Sequence, residues 1–398
     1  MKIISINLGK YGSTGKIMIG ISHAAQKQGV LCYQAYPASP MNFSAEENDI
    51  IISSFFDVRV SAKLAYYTGY NGCFAALATK KLLNKIDIIQ PDILHFHNLH
   101  NSYINLPMLF NYVKKRKIKV VWTLHDCWSM TGQCPHFDIV KCDKWKTGCY
   151  ECPQINVYPA SKFDRTEFMW KKKKEWFTGI EGMTIVTPSK WLAEIVSQSY
   201  LKNYPVKVIN NGIDLNVFKP TLSNFREKYH LEKNYILLGV AFDWGIRKGL
   251  DVFIKLASRL DERFKIVLVG TNEIIDKQLP NNIISIHRTN NQQELAEIYT
   301  AGDLYINLTR EDNYPTVNME AIACGTPMIT FRTGGSVEAL DNTCGCIVDC
   351  GDIDTLEKKI IKICENKIFS RKDCIERSKA FDENMLYDDY VNLYTEIC

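Results

Sequence analysis

Short, β-branched apolar runs recur along the whole chain, and amphipathic stretches of helical length separate them. A parallel strand buries both faces and needs a helical crossover to reach the next, so this rhythm predicts open parallel α/β sheets. In the first half it predicts strands at 2–8, 31–36, 49–53, 92–96 and 117–124, a loop at 9–15, and a helix over about 16–28. Residues 57–83 read as helical with a break near 69–72, where two glycines stand. A helix over 164–176, a strand at 183–187 and a helix over 189–197, opened by Ser189 as its cap, follow. After a strand at 206–209 comes NNGIDLNVFKP, a turn-rich connector that places a domain boundary near residue 210. The rhythm then restarts, with strands at 235–240, 265–269, 283–286, 304–307 and 346–348 and helices over 249–259, 292–300, 355–365 and 371–380. The last segment, 384–397, is helical and has no strand after it.

Residues 127–160 break the alternation and, being rich in Cys, Pro, Gly and Trp, read as an inserted ordered loop. At 398 residues the chain exceeds one ordinary core, which makes two domains the expectation. A net charge of +4 at this size does not call for nucleic acid, and no nucleic-acid-binding signature is present. Neither a signal peptide nor a membrane-spanning run is evident, so the cytoplasm is the expected compartment.

The chemistry concentrates in 309–335, TREDNYPTVNMEAIACGTPMITFRTGG. Asp312 and Glu320 stand eight apart around Pro315, which suits a first helical position because it lacks an N–H. One carboxylate then precedes a helix and the other lies inside it, beside the free N–H groups of its first turn. A helix start attracts phosphate, and carboxylates accept from sugar hydroxyls. The stretch therefore reads as a sugar-nucleotide pocket; the plain alternative is an amphipathic helix with two solvated acids.

Four motifs in order, NGID at 211–214, RKG at 247–249, Asp312-x7-Glu320 and ACGTP at 323–327, resemble the retaining, family-4 glycosyltransferases of the GT-B fold. Residues 125–153 are similar to bacterial polysaccharide- and lipopolysaccharide-type members. The resemblance implies an α/β GT-B architecture, two Rossmann-like parallel-sheet domains facing a cleft. Residues 1–205 would bind the acceptor, 206–380 the nucleotide-sugar donor, and a terminal helix in 381–398 would cross back to the first domain. It implies transfer of a hexose-type sugar from a UDP- or GDP-sugar with retention, to a glycan or polyprenyl-diphosphate-linked acceptor in cell-surface polysaccharide synthesis. No metal or other cofactor is then required for catalysis. Two other readings remain open: a sugar-nucleotide epimerase of the same fold, and a non-catalytic sugar-nucleotide-binding protein.

The resemblance also implies residue roles. Glu320 would accept from the ribose hydroxyls, and Asp312, where the family usually has Glu, would contact the transferred sugar, with neighbouring Glu311 as its rival. The usual glycine turn is replaced by Asn313-Tyr314-Pro315, leaving the N–H groups of Thr316 and Val317 to face phosphate or sugar. Lys248 would neutralise the donor diphosphate, with Arg247 substituting for an upstream arginine that this chain lacks. Gly12 and Gly15 frame a loop that would approach the diphosphate. His125 would line the cleft near the sugar, with Asp126 and His97 on the acceptor side.

Two further features bear on partners. Cys134, Cys142, Cys149 and Cys152 place four thiols in 19 residues, ending in a C-x2-C knuckle. Structural zinc, disulfides and free thiols are the three readings; zinc would stiffen an insertion expected to have little apolar core. Residues 114–119 and 168–177 combine lysines with Trp170, Trp176 and Phe177, which suits either peripheral contact with anionic lipid at the inner face of the cytoplasmic membrane or a solvated helix whose aromatics are core.

Overall fold

A computed structural model describes residues 1–42 and 45–398. The chain forms two compact units, Met1–Asn210 with Asn384–Cys398, and Asn211–Glu383. In the first, strands β1 (Lys2–Ile6), β2 (Leu31–Tyr36), β3 (Asp49–Ile51), β4 (Ile93–Phe96), β5 (Lys119–Thr123), β6 (Met183–Thr187) and β7 (Val206–Val208) form a parallel sheet ordered β3-β2-β1-β4-β5-β6-β7. In the second, β8 (Tyr235–Val240), β9 (Phe264–Val269), β10 (Ile283–Ile286), β11 (Leu304–Asn307), β12 (Met328–Phe331) and β13 (Gly345–Val348) are ordered β10-β9-β8-β11-β12-β13, again all parallel. The order reverses beside β1 in one sheet and beside β8 in the other.

Strand alternation divides each sheet between two apolar layers. Ile4, Ile6, Val120 and Trp122 enter one cluster of the first unit, and Ile3, Val121 and Val186 enter the cluster on the opposite face. The β-branched runs are thus buried on both sides, which accounts for their continuous apolar character.

Several elements differ from the sequence expectation. The first helix, Gly12–Lys27, starts earlier than predicted, so Gly12 and Gly15 belong to its opening turn. Gly15 lies against the backbone of Lys10, where a Cβ would come within 2.4 Å of a carbonyl carbon. A helix at Leu106–Arg116 was not anticipated; Asn105 caps it by accepting from the Met108 N–H at 3.1 Å, and it buries Leu106, Leu109, Phe110 and Val113. Strand β12 was also missed, hidden among the turns and glycines of 309–335. Pro315 is the N-cap of helix Thr316–Ala323 rather than its first residue.

The terminal helix, Glu383–Ile397, buries Tyr387, Tyr390, Val391, Leu393 and Tyr394 on the first unit. Tyr394 Oη lies 2.6 Å from His95 Nδ1, and Thr123 Oγ1 donates to Tyr390 Oη at 3.2 Å. In the second unit the outgoing and returning chain are laced together: the Ile213 N–H donates to the Phe381 carbonyl at 2.9 Å and the Glu383 N–H to the Ile213 carbonyl at 3.1 Å. Tyr394→Phe leaves a fully buried imidazole nitrogen without its partner, so it should cost about 1–3 kcal/mol, read as a drop in unfolding temperature. An unchanged midpoint would show that the hydroxyl holds nothing.

Candidate active site

In the second unit the candidate residues follow the carboxyl ends of β8 and β11, neighbours at the strand-order reversal. Ligands of open α/β sheets bind at such a place because the loops diverge there. The turn after β8 is closed by the Gly249 N–H donating to the Ile246 carbonyl at 3.1 Å. Gly249 has φ +76°, and a Cβ there would stand 2.5 Å from the Leu308 carbonyl oxygen. Only glycine lets the two loops approach so closely.

That approach sets Lys248 Nζ 2.5 Å from Asp312 Oδ2, in an ion pair whose side chains are 17% and 19% exposed. The Arg247 backbone and side chain are both engaged by the β11 loop: its carbonyl accepts from the Arg310 N–H at 2.8 Å, and its guanidinium donates to the Glu311 carbonyl at 3.3 Å. Arg310 forms a two-pronged pair with Asp251 at 2.7 and 2.8 Å. Glu311 is buried, whereas Asp312 is partly open and is the acid that faces Lys248. Helix Thr316–Ala323 begins without a side-chain cap, and Thr316 and Val317 are its first two residues. One turn in, Glu320 Oε2 accepts from Tyr299 Oη at 3.1 Å. Burial pushes the Tyr305 phenol well above its ordinary value, and the charges of Glu320 and Asp312 add to that, so both acids act on the same ring.

In the first unit, the carboxyl ends of adjacent β1, β4 and β5 lead to the Gly12 turn, His97 and His125. His97 Nδ1 lies 3.0 Å from His125 Nε2, with the rings nearly parallel at 14°. His95, on the same face as His97 with the ring centroids 4.1 Å apart, has its Nε2 2.8 Å from Thr123 Oγ1. Burial lowers all three imidazoles, His125 to about 4, His95 to about 3 and His97 well below the usual range; for His95 and His97, neighbouring imidazoles contribute further. They are therefore neutral at pH 7. Asp126 turns to His100, whose Nε2 lies 3.2 Å from Asp126 Oδ2, and accepts from the Trp128 N–H at 2.8 Å. Burial raises this carboxyl, but the His100 ring, the charge of His136 and the Trp128 N–H outweigh it and hold Asp126 at about 2. Tyr158 completes the cluster, with its hydroxyl 3.0 Å from His100 Nδ1.

The cysteine loop brings its four thiols together. Cys134, Cys142, Cys149 and Cys152 line one small pocket, yet among the described residues no three His, Cys, Asp or Glu side chains are grouped to hold a metal ion, and all four thiols are free. The insertion has an apolar core of its own, where little was expected. Trp128, Phe137 and Trp145 are buried, with Phe137 stacked on Trp145 at 5.0 Å. Trp170 Nε1 donates to the Trp145 carbonyl at 2.9 Å, and buried Lys173 donates to the carbonyls of Trp128 and Thr131. Burial pushes the Cys134 thiol up to about 12 and Cys149 to about 11, which keeps both protonated.

Comparison with known proteins gives the family and the fold. Residues 18–217 match the model of the family described as Glycosyltransferase Family 4, and residues 223–381 match Glycosyl transferases group 1. The chain belongs to the family-4 glycosyltransferases. It is 27% identical over 320 residues to the putative colanic acid biosynthesis glycosyl transferase WcaC of Escherichia coli K12, covering 77% of each chain. It is 24% identical over 224 residues to the N,N'-diacetylbacillosaminyl-diphospho-undecaprenol alpha-1,3-N-acetylgalactosaminyltransferase of Campylobacter jejuni, covering 52% of this chain and 58% of that one. The fold superposes on Anabaena HepE, solved in complex with UDP, with a TM-score of 0.70, 14% identity and full coverage of both chains.

This transferase holds its loops with side chains that the sequence reading did not single out. Asn307 at the end of β11 donates to Asn318 at 2.7 Å; Asn318 donates to the Ser336 carbonyl at 3.0 Å; and Thr330 lies 2.8 Å from Ser336 Oγ. All four are buried, so the network ties the β11 and β12 ends to the helix start. An asparagine inside an otherwise apolar strand, as in LYIN, was the available signal.

The neutral histidines set an acid limit. Their folded pKa values lie below the unfolded value near 6.5, so the unfolded chain binds more protons below that pH. Their stabilising contribution is complete above about pH 6.5 and is lost as pH falls towards 4 and 3, at up to about 1.4 kcal/mol per pH unit per ring. Denaturant unfolding at about pH 7 and pH 5 should show this loss, and His95→Gln should make it shallower. Identical slopes for the two proteins would contradict the assignment.

Proposed function

We propose that this transferase moves a hexose-type sugar from a UDP- or GDP-sugar to a glycan or polyprenyl-diphosphate-linked acceptor, with retention, in bacterial cell-surface polysaccharide synthesis. The observation that carries the reading is the Lys248–Asp312 pair beside the uncapped start of helix Thr316–Ala323. It sets a cation, two backbone donors and a carboxylate within one loop cluster, the set a sugar diphosphate requires. The glycosyl transfer ascribed to WcaC and to the Campylobacter enzyme, and UDP on HepE, support the same chemistry.

In this reading Lys248 takes the negative charge that grows on the leaving diphosphate. Asp312 holds the ammonium in place beforehand; when the diphosphate competes for Lys248, the carboxylate is released to the hydroxyls of the sugar. Thr316 and Val317 offer N–H groups to phosphate or sugar, Arg247 braces the loop, and Glu320 accepts from the ribose. The turn at Gly12 and Gly15 approaches the diphosphate. His125, neutral at working pH, hydrogen-bonds the sugar or orients the acceptor rather than acting as a full base. The acceptor attacks on the face the diphosphate leaves, and a donor phosphate oxygen accepts its proton. The division of labour gives 1–205 the acceptor, 206–380 the donor and 381–398 the returning helix, with the enzyme working at the cytoplasmic side of the membrane.

A thermal-shift panel of UDP-, GDP- and ADP-sugars tests donor recognition. A UDP- or GDP-sugar at a hundredfold excess over its Kd should stabilise the protein by about 2.7 kcal/mol. If none stabilises it and none is slowly hydrolysed, the reading fails. Once a donor is identified, Glu320→Gln should raise its KM about tenfold with a smaller effect on kcat, and Lys248→Met should lower kcat about a hundredfold to a thousandfold. Transfer should persist in a chelator, since Lys248 supplies the charge. Donor turnover without acceptor or glycan product would favour an epimerase.

A further inference from the structure

The aromatic residues that drew attention in 168–177 are mostly core: Trp170, Trp176 and Phe177 are buried. The exposed aromatic face belongs to a different helix, Phe55–Thr68. Its ends are well made, with a Ser54–Asp57 capping box and Gly69 in the left-handed conformation, so its exposed face is a fixed surface. The helix is inverted relative to an ordinary surface helix, which turns its apolar stripe to the core. Ser61 and Ala65 face inward, while Phe56, Val60, Leu64 and Tyr67 stand outward at helical spacing, with Phe56 73% and Tyr67 56% exposed.

The neighbouring segment extends this face. The Lys162 N–H donates to the Tyr66 carbonyl at 2.8 Å, which holds exposed Phe163 beside the helix. Four cations rim the aromatics. Arg59 lies 4.3 Å from the Phe55 ring centroid, Lys162 5.8 Å from that of Tyr67, and Arg165 5.8 Å from that of Tyr70, while Lys63 lies on the helix itself. Among the described residues none of the four forms an ion pair; the lysines of the adjacent helix, Lys171 and Lys172, are paired with Glu167 and Glu175. The two acids within the patch are used locally, Asp57 in the cap and Asp164 by the Cys152 and Thr166 N–H groups. An outward aromatic stripe with a net basic rim matches the interfacial zone of a bilayer, where aromatic rings enter the headgroup layer and cations meet lipid phosphates.

We propose that the face formed by helix Phe55–Thr68 and residues 162–165 docks this protein on an anionic bilayer surface. The face uses none of the residues assigned to transfer, and its test needs no activity. Full-length protein is sedimented with vesicles of phosphatidylcholine alone or mixed with phosphatidylglycerol. Binding is expected to the mixed vesicles, weakened by salt, and reduced at least about tenfold by Phe56→Ser with Tyr67→Ser, and likewise by Arg59→Glu with Lys63→Glu. All these side chains are exposed, so both variants should keep the wild-type unfolding temperature and the wild-type shift with a donor. The donor shift keeps failure of this proposal distinct from failure of the transferase reading. Absence of vesicle binding, or binding unchanged by both variants, overturns the proposal. So does a wild-type dimer by light scattering that Phe56→Ser with Tyr67→Ser dissociates, which would assign the face to a second copy of the chain.

Discussion

Parallel strands all end at one edge of a sheet, and the strands on either side of an order reversal send their connections in opposite directions. Every candidate residue of this protein inherits its place from that constraint. Lys248 follows β8, and Asp312 and Glu320 follow β11, its neighbour. The Gly12 turn follows β1, His97 follows β4 and His125 follows β5, three strands in adjacent order. Apolar layers on both faces hold these strands, so the loops start from fixed points even where they carry no regular structure. The buried Asn307–Asn318–Ser336–Thr330 network extends that rigidity past the strand ends to the helix start.

The two units solve their electrostatics in opposite ways. The second keeps charge available: Lys248 and Asp312 remain partly exposed and neutralise one another. The first removes charge: His95, His97 and His125 are buried, and each would be protonated only well below neutral pH. Asp126 is the exception among them, staying ionised because His100 and the Trp128 N–H repay its desolvation. A mutually neutralised ion pair and a set of uncharged hydrogen-bonding rings are different tools.

The regular elements were legible because both-faced burial leaves a continuous apolar run, and most strand bounds lie within two residues of the pattern. Short elements with their own punctuation were less legible. Strand β12 sits between two glycine turns, and helix Leu106–Arg116 carries a basic end that reads as a surface charge run. Among the functional residues, motif spacing marked Lys248, Asp312 and Glu320, but nothing in the spacing chose Asp312 over Glu311 as the partner of Lys248. The cysteine loop was legible only in part. A C-x2-C knuckle looks the same whatever its sulfurs face, and the spacing did not reveal that Phe137 and Trp145 stack beside the four thiols.

Residue order alone was enough to determine the two-unit α/β class, the boundary near residue 210 and the motifs that identify the family. These depend on hydrophobic period and on residues close in sequence. What the tertiary structure decided depends on residues far apart. Lys248 meets Asp312 across 64 positions, and His95 meets Tyr394 across 299. It also decided direction: the large aromatics Trp170, Trp176 and Phe177 are core in Thr166–Phe177, whereas Phe56 and Tyr67 face solvent in Phe55–Thr68. A helix pattern states that one face is apolar; only the packing of its neighbours determines whether that face is the one covered.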